Sequence, residues 1–172
     1  MVLIVLELAM AMKRLALLTP FKHRDFRLYW LGFVTSVSGM QMFLVVQAWL
    51  VYDLTGSALQ LGFLALFRAI PAVALGLVGG VVADKVDQRR LLIGTTASVA
   101  CVYLVLGVVT LTGIVQVWHI LGSVFIIGGL QAFDQPSRQA IFPSLINRED
   151  MMSAVALNST IHPGTRIFAP IL

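Results

Sequence analysis

A chain of 172 residues that is 59% hydrophobic and 12% charged, with mean hydropathy +0.92, is too apolar for a soluble domain, where about a quarter of residues carry charge, and too apolar for disorder. A single cysteine, Cys101, excludes an internal disulfide framework. What remains is an integral membrane protein, and at ~20 residues per span the length admits four or five helices and no separate water-soluble catalytic domain.

Residues 1–27 read as a cytoplasmic leader. Its start, Met1 to Met12, is apolar apart from Glu7. It is too short to span and lacks the basic stretch that precedes the apolar part of a secretory signal. Residues 28–52 form the first charge-free run, with Tyr29 and Trp30 at one end and Trp49 and Tyr52 at the other, as interfacial aromatics require. A turn at 53–57 contains Gly56 as breaker. The second span covers 58–83, interrupted by Arg68 and Pro71, and a charged loop follows at 84–90. The third span is 91–111, Thr112-Gly113 turns the chain, and the fourth is 114–133. Residues 134–150 are polar. Asn147 is placed to cap a fifth helix over 151–172, with Glu149 and Asp150 in its first turn.

Charge placement orients these helices. Lys13, Arg14, Lys22, Arg24 and Arg27 precede the first span, Lys85, Arg89 and Arg90 follow the second, and Arg138 and Arg148 follow the fourth. The turns at 53–57 and 112–113 hold neither Lys nor Arg. Ten of the twelve basic residues therefore fall on one side, which the positive-inside bias makes the cytoplasm, with the N-terminus inside. The net charge of +4 then records topology, and a nucleic-acid partner is not implied.

Polar residues within the spans are the candidates for function, because lipid makes them costly. Ala72, Gly76 and Gly80 repeat at helical spacing and predict a helix-packing stripe, with Arg68 one turn earlier. Arg68 either pins neighbouring helices through their carbonyls or lines a polar path. Asn158, His162 and Arg166 share one face of the fifth helix, and Pro163-Gly164 should weaken that helix. His162 could relay protons or simply pack. Gln41 and Gln47 could touch substrate or bond between helices. His23, His119 and His162 lie on separate segments and show no metal-ligand pattern. No nucleophile–base or paired-carboxylate arrangement suggests an enzyme, and no cofactor is implied.

The stretch from Gly80 to Arg90, with Gly80, Asp84, Lys85, Arg89 and Arg90 in register, resembles the cytoplasmic loop signature of the major facilitator superfamily. Asp87 stands where the widest form has a second glycine, and Gln88 replaces a frequent basic residue. A second likeness is more specific. Ala132-Phe133-Asp134-Gln135-Pro136-Ser137-Arg138-Gln139-Ala140, then Pro143, Leu145 and Ala154-Val155-Ala156-Leu157-Asn158-Ser159, is similar to the exporters related to the enterobactin exporter. Arg166 matches an arginine of that branch, while Ala169-Pro170 departs from its Gly-Pro pair and His162 and Pro163-Gly164 have no counterpart. Residues 120–129 lack the arginine that precedes a glycine pair in many proton-coupled drug exporters.

The resemblance implies an all-α major facilitator fold, of which this chain is the N-terminal part. It implies secondary active export of small amphipathic molecules, drug or siderophore-like, by alternating access coupled to proton influx. The partners are then a small-molecule substrate, protons, the bilayer of the cytoplasmic membrane and the missing C-terminal helices. By the same resemblance the loop after the second span latches the two halves, with Asp134 as a partner for Arg89. The competing reading is a truncated, non-transporting membrane subunit that packs against partner helices. A natural stop after Leu172 would favour it.

Overall fold

The computed structural model describes residues 19–168, and among them every regular element is helical. Five α-helices follow in order: α1 Arg24–Thr55, α2 Ala58–Lys85, α3 Gln88–Leu111, α4 Val117–Ile141 and α5 Met151–Phe168. Short 3-10 turns lie at Thr19–Lys22, Phe142–Leu145 and Arg148–Asp150. The leader 1–18 and the pair Ala169-Pro170 lie outside the described residues. Four stretches are long and apolar enough to cross a membrane: Arg24–Thr55, Ala58–Gly76, Gln88–Leu111 and Val117–Leu145. The described part of α5, interrupted by Asn158, His162 and Arg166, is not among them.

The turns follow from local chemistry. Gly56 and Gly113 hold φ of 61° and 74°, a left-handed backbone that only glycine adopts without strain, and each reverses the chain between two long helices. At the charged loop, Asp87 caps α3, accepting from the backbone N–H groups of Arg89 at 2.9 Å and Arg90 at 3.2 Å. The start of α4 is tied by the Gln116 N–H donating to Nδ1 of His119 and by the Trp118 indole donating to the Gln116 side-chain oxygen.

Three local expectations change. First, α4 does not stop at 133 but continues through Pro136 to Ile141. Proline removes one N–H, and the turn is held instead by the Ser137 hydroxyl donating to the Phe133 carbonyl and by an i,i+4 pair between Asp134 and Arg138. Second, Asn147 begins a 3-10 turn ahead of α5 with no side-chain cap bond. Third, α5 runs unbroken through Pro163-Gly164. Nearby hydroxyls of Ser159, Thr160 and Thr165 donate to the carbonyls of Ala156, Leu157 and Ile161, each one turn back.

The chain divides into two compact units. The larger, Phe43–Ile141, contains the end of α1 with α2, α3 and α4. Its core is Leu50 and Val51 of α1, Leu64 of α2, Leu106 of α3 and Ile120 and Val124 of α4. The other pairs residues 19–42 with 142–168. There Phe26, Ile146 and Ala154 form one buried cluster and Phe33, Val37 and Ile161 a second, so α1 and α5 pack with numbering rising together. Phe21 sits edge-on to both Phe26 and Trp30, with ring centres 5.6 and 5.1 Å apart. The outer faces are apolar: Val73 is 77% and Leu111 89% exposed, surfaces that suit lipid or further helices and not water.

Candidate functional site

Within the larger unit the tightest approach is between α2 and α4. A methyl group added at Gly128 would meet the backbone carbonyl of Arg68 and, at 3.0 Å, the ring of Pro71. One added at Gly79 would meet the carbonyl of Ala132. Pro136 has no N–H to offer that carbonyl, its normal helical partner four residues on, so the freed oxygen is the one that presses against Gly79. The predicted stripe is therefore displaced. Gly76 and Gly80 have no neighbour within 4 Å of such a methyl among the described residues, while Gly79, Gly128 and Gly129 form the seam.

Arg68 sits on this seam. Its guanidinium donates to the Gln131 side-chain oxygen at 3.1 Å, and the phenol of Tyr103 on α3 lies near enough to feel its charge. Tyr103 in turn packs on Phe43 of α1, ring centres 4.4 Å apart. No carboxylate lies within ion-pair distance of Arg68 among the described residues. An arginine at this depth costs about 3 kcal/mol on insertion scales, and one neutral hydrogen bond offsets only part of that. One turn along α1 from Phe43, Gln47 is 4% exposed and its side-chain oxygen has no hydrogen-bond partner among the described residues. Gln47, not Gln41, is thus the enclosed glutamine; Gln41 is partly exposed in the smaller unit.

At the other end of the seam lies the loop singled out by its motif. Gly80 is in α2, and Lys85 is its exposed last residue. The side chain of Asp84 lies outside what the structure describes, as do those of His162 and Arg166 on α5. Arg89 and Arg90 are exposed at the start of α3, where Arg90 makes a loose pair with Asp87 at 3.6 Å. Asp134 is not joined to Arg89 in this conformation. Its carboxylate is held by Arg138 Nε at 2.6 Å and by the Thr95 hydroxyl of α3 at 3.0 Å, and Arg138 reaches Thr96 at 3.5 Å. The i,i+4 spacing of Asp134 and Arg138 becomes legible once α4 is known to extend past 133. Asp87 could have been read as a cap from its place before a long helix.

In the smaller unit, Asn158 lies between the buried Ala154 and Ile161 on the face of α5 that packs on α1. Its side-chain oxygen is buried without a partner among the described residues, as is the indole N–H of Trp30. Nearer the chain start, His23 Nε2 donates to the Asp150 carboxylate at 3.3 Å. A hydrogen bond from the Thr19 hydroxyl is the largest influence on Asp150, followed by partial burial that opposes it. His23 and Lys22 add to the first, and the carboxyl stays below its ordinary value.

Comparison with known sequences gives the family. Residues 15–172 match the family model described as transmembrane secretion effector. Macrolide efflux protein A of Streptococcus pyogenes is 24% identical over 141 residues, which are 82% of this chain and 35% of that protein. The Staphyloferrin A transporter of Staphylococcus aureus is 31% identical over 125 residues, 72% of this chain and 32% of that protein. An uncharacterized MFS-type transporter of Bacillus subtilis is 23% identical over 144 residues, 81% and 32% of the two chains. The chain thus spans about a third of the length of these curated relatives. No solved structure gives a significant match.

Proposed function

Because the chain belongs to the transmembrane secretion effector family of the major facilitator superfamily, we propose that it forms the first helices of a secondary active exporter of small amphipathic molecules. It is a multi-pass membrane protein of a transporter family whose members are generally not enzymes. The observation that carries the proposal is the family match across residues 15–172, supported by the efflux and siderophore transporters among its relatives. The finer likeness to the enterobactin-exporter branch rests on residues 132–140, Pro143, Leu145, residues 154–159 and Arg166.

In this reading the helices move by alternating access around a site near the midplane, formed with the remainder of the protein. The glycine seam keeps α2 and α4 together during that motion, since two backbones in contact leave little freedom to slide. The loop Gly80, Asp84, Lys85, Arg89 and Arg90 acts at the cytoplasmic edge, with the N-terminus and the ten basic residues inside. Asp134 offers Arg89 a partner in a state where Arg138 has let go. Pathway candidates are Gln41, Arg68, Asn158, His162 and Arg166. Proton influx drives the cycle. None of residues 28–52, 58–83, 91–111 and 114–133 is Asp or Glu, so any titrating carboxylate of the core comes from outside those segments.

Proton-driven accumulation of fluorescent amphipathic dyes in inverted membrane vesicles holding the complete protein tests this. Uptake should require an imposed proton gradient and collapse with a protonophore; no flux of any dye counts against export. Asp84→Asn should slow uptake at least fivefold while leaving dye binding within twofold. Unchanged uptake would remove the latch role.

A further inference from the structure

The cation at Arg68 is half-buried and held by a neutral hydrogen-bond acceptor. It lies ten residues into α2, about 15 Å from the helix start, and so near the middle of a hydrocarbon layer ~30 Å thick. Its direction is set: Gln131 of α4 accepts one guanidinium N–H at 3.1 Å, and α4 is locked to α2 at Gly128 against the Arg68 carbonyl itself. The Tyr103 phenol is near enough to feel the charge, and Phe43 packs at a tilt on Tyr103, ring centres 4.4 Å apart. Among the described residues no anion meets it: residues 28–52, 58–83, 91–111 and 114–133 contain no Asp or Glu, and no described carboxylate pairs with Arg68.

A guanidinium has five donors in a planar fork, suited to bidentate capture of a carboxylate. With one arm tied to a neutral amide, the rest of the fork is oriented and meets no opposite charge among the described residues. In a low-dielectric setting the free energy gained by meeting an anion is large, and a neutral or cationic molecule gains none of it.

We propose that Arg68, aimed by Gln131 on the α2–α4 seam beside the Tyr103–Phe43 pair, is a recognition site for a carboxylate on the transported molecule, which makes the substrate class amphipathic acids with an apolar or aromatic body. This rests on the transport reading above and narrows its substrate. Gln131 is a positioning residue: it touches the guanidinium and acts through it.

The test uses the complete protein in detergent and three probes that differ only in charge: N-dansylphenylalanine, its methyl ester and its amide, with binding read by dansyl fluorescence. The acid should bind at least tenfold more tightly than the ester and the amide. Arg68→Gln should weaken the acid at least tenfold and change the ester less than twofold. Arg68→Lys, which keeps the charge without the fork, should cut the acid-to-ester ratio about threefold, and it carries the test if Arg68→Gln is not monodisperse. Gln131→Leu should lower the same ratio with a smaller effect on the ester. Equal binding of acid and ester, no binding of the acid, or an unchanged ratio in the Arg68 variants overturns the site. A loss of thermal stability in Arg68→Gln with the acid preference intact would also overturn it, since Arg68 would then be paired inside the protein. Flux of the ester in vesicles without any acid preference sinks the site and leaves export standing. Acid-selective binding with no flux of any probe does the reverse.

Discussion

Helix α4 meets α2 and α3 by opposite means. Against α2 it presents glycine, and the contact is backbone on backbone: Gly128 under the Arg68 carbonyl, Gly79 under the Ala132 carbonyl. Against α3 it presents charge, with Asp134 held between Arg138 and Thr95. The first kind of joint depends on shape and has one solution, because backbones in contact cannot be re-rotamered. The second depends on which donor occupies a carboxylate, and donors can be exchanged. A transporter needs both, a pair of helices that stay together and an edge that can change partners.

The glycine joint should be the more fragile to substitution. Gly79→Ala or Gly128→Ala places a methyl where a backbone oxygen already lies, so one helix must move, and about 3 kcal/mol of stability should be lost. Gly76→Ala, on the same α2 but facing open space, should change stability by less than about 1 kcal/mol, with better helix propensity helping it. Thermal unfolding of the complete protein in detergent compares the three. If Gly76→Ala costs as much as Gly79→Ala, the contrast between the two faces of α2 is lost.

The polar joint comes next. Asp134 and Arg138 are 19% and 14% exposed, so Asp134→Asn replaces a charge-assisted bond inside the protein with a neutral one and should cost about 2 kcal/mol. Thr95→Val removes only the hydroxyl that bridges to α3 and should cost about 1 kcal/mol. The ordering matters more than the values. Equal losses from Asp134→Asn and Thr95→Val would mean that the bridge to α3, and not the pair within α4, holds the carboxylate.

How far such features could be read beforehand depends on the range of the interaction. Spans were legible in Leu, Val and Ile runs because lipid imposes one rule on all residues of a helix. Gly56 and Gly113 were legible as turns for a similar reason: the left-handed backbone needs no partner to be recognised. The seam was not. Ala72, Gly76 and Gly80 have the right spacing, yet Gly79 is the residue against α4, a choice between adjacent faces of α2 that depends on the partner helix. Asp134 was picked out from its motif, but its partner depended on α4 continuing past 133, which hung on Ser137 and Arg138 supporting a turn that proline had weakened. Arg68 was visible as an expensive residue in lipid. That Gln131 aims it could come only from the packing.

The smallest effect lies outside the membrane and acts on charge alone. Asp150, tied to Thr19 and His23, has a carboxyl below its ordinary value of 3.8, with the Thr19 hydroxyl the largest cause. Folding therefore favours the ionised form. The stability this contributes is fully present above about pH 4, where the carboxylate is ionised folded or unfolded, and fades as pH falls through the lowered value in the folded protein. Thr19→Val should move the acid limb of the unfolding curve upward more than His23→Gln does, since the hydroxyl outranks the imidazole among the causes. Each should also lower stability near neutral pH, where that contribution is fully present, with Thr19→Val again the larger loss. If the acid limb moves equally or not at all, the hydrogen bond from Thr19 is not what holds the proton off Asp150. The exchangeable charge of α4 would then be the chain's better example of a carboxylate governed by its donors.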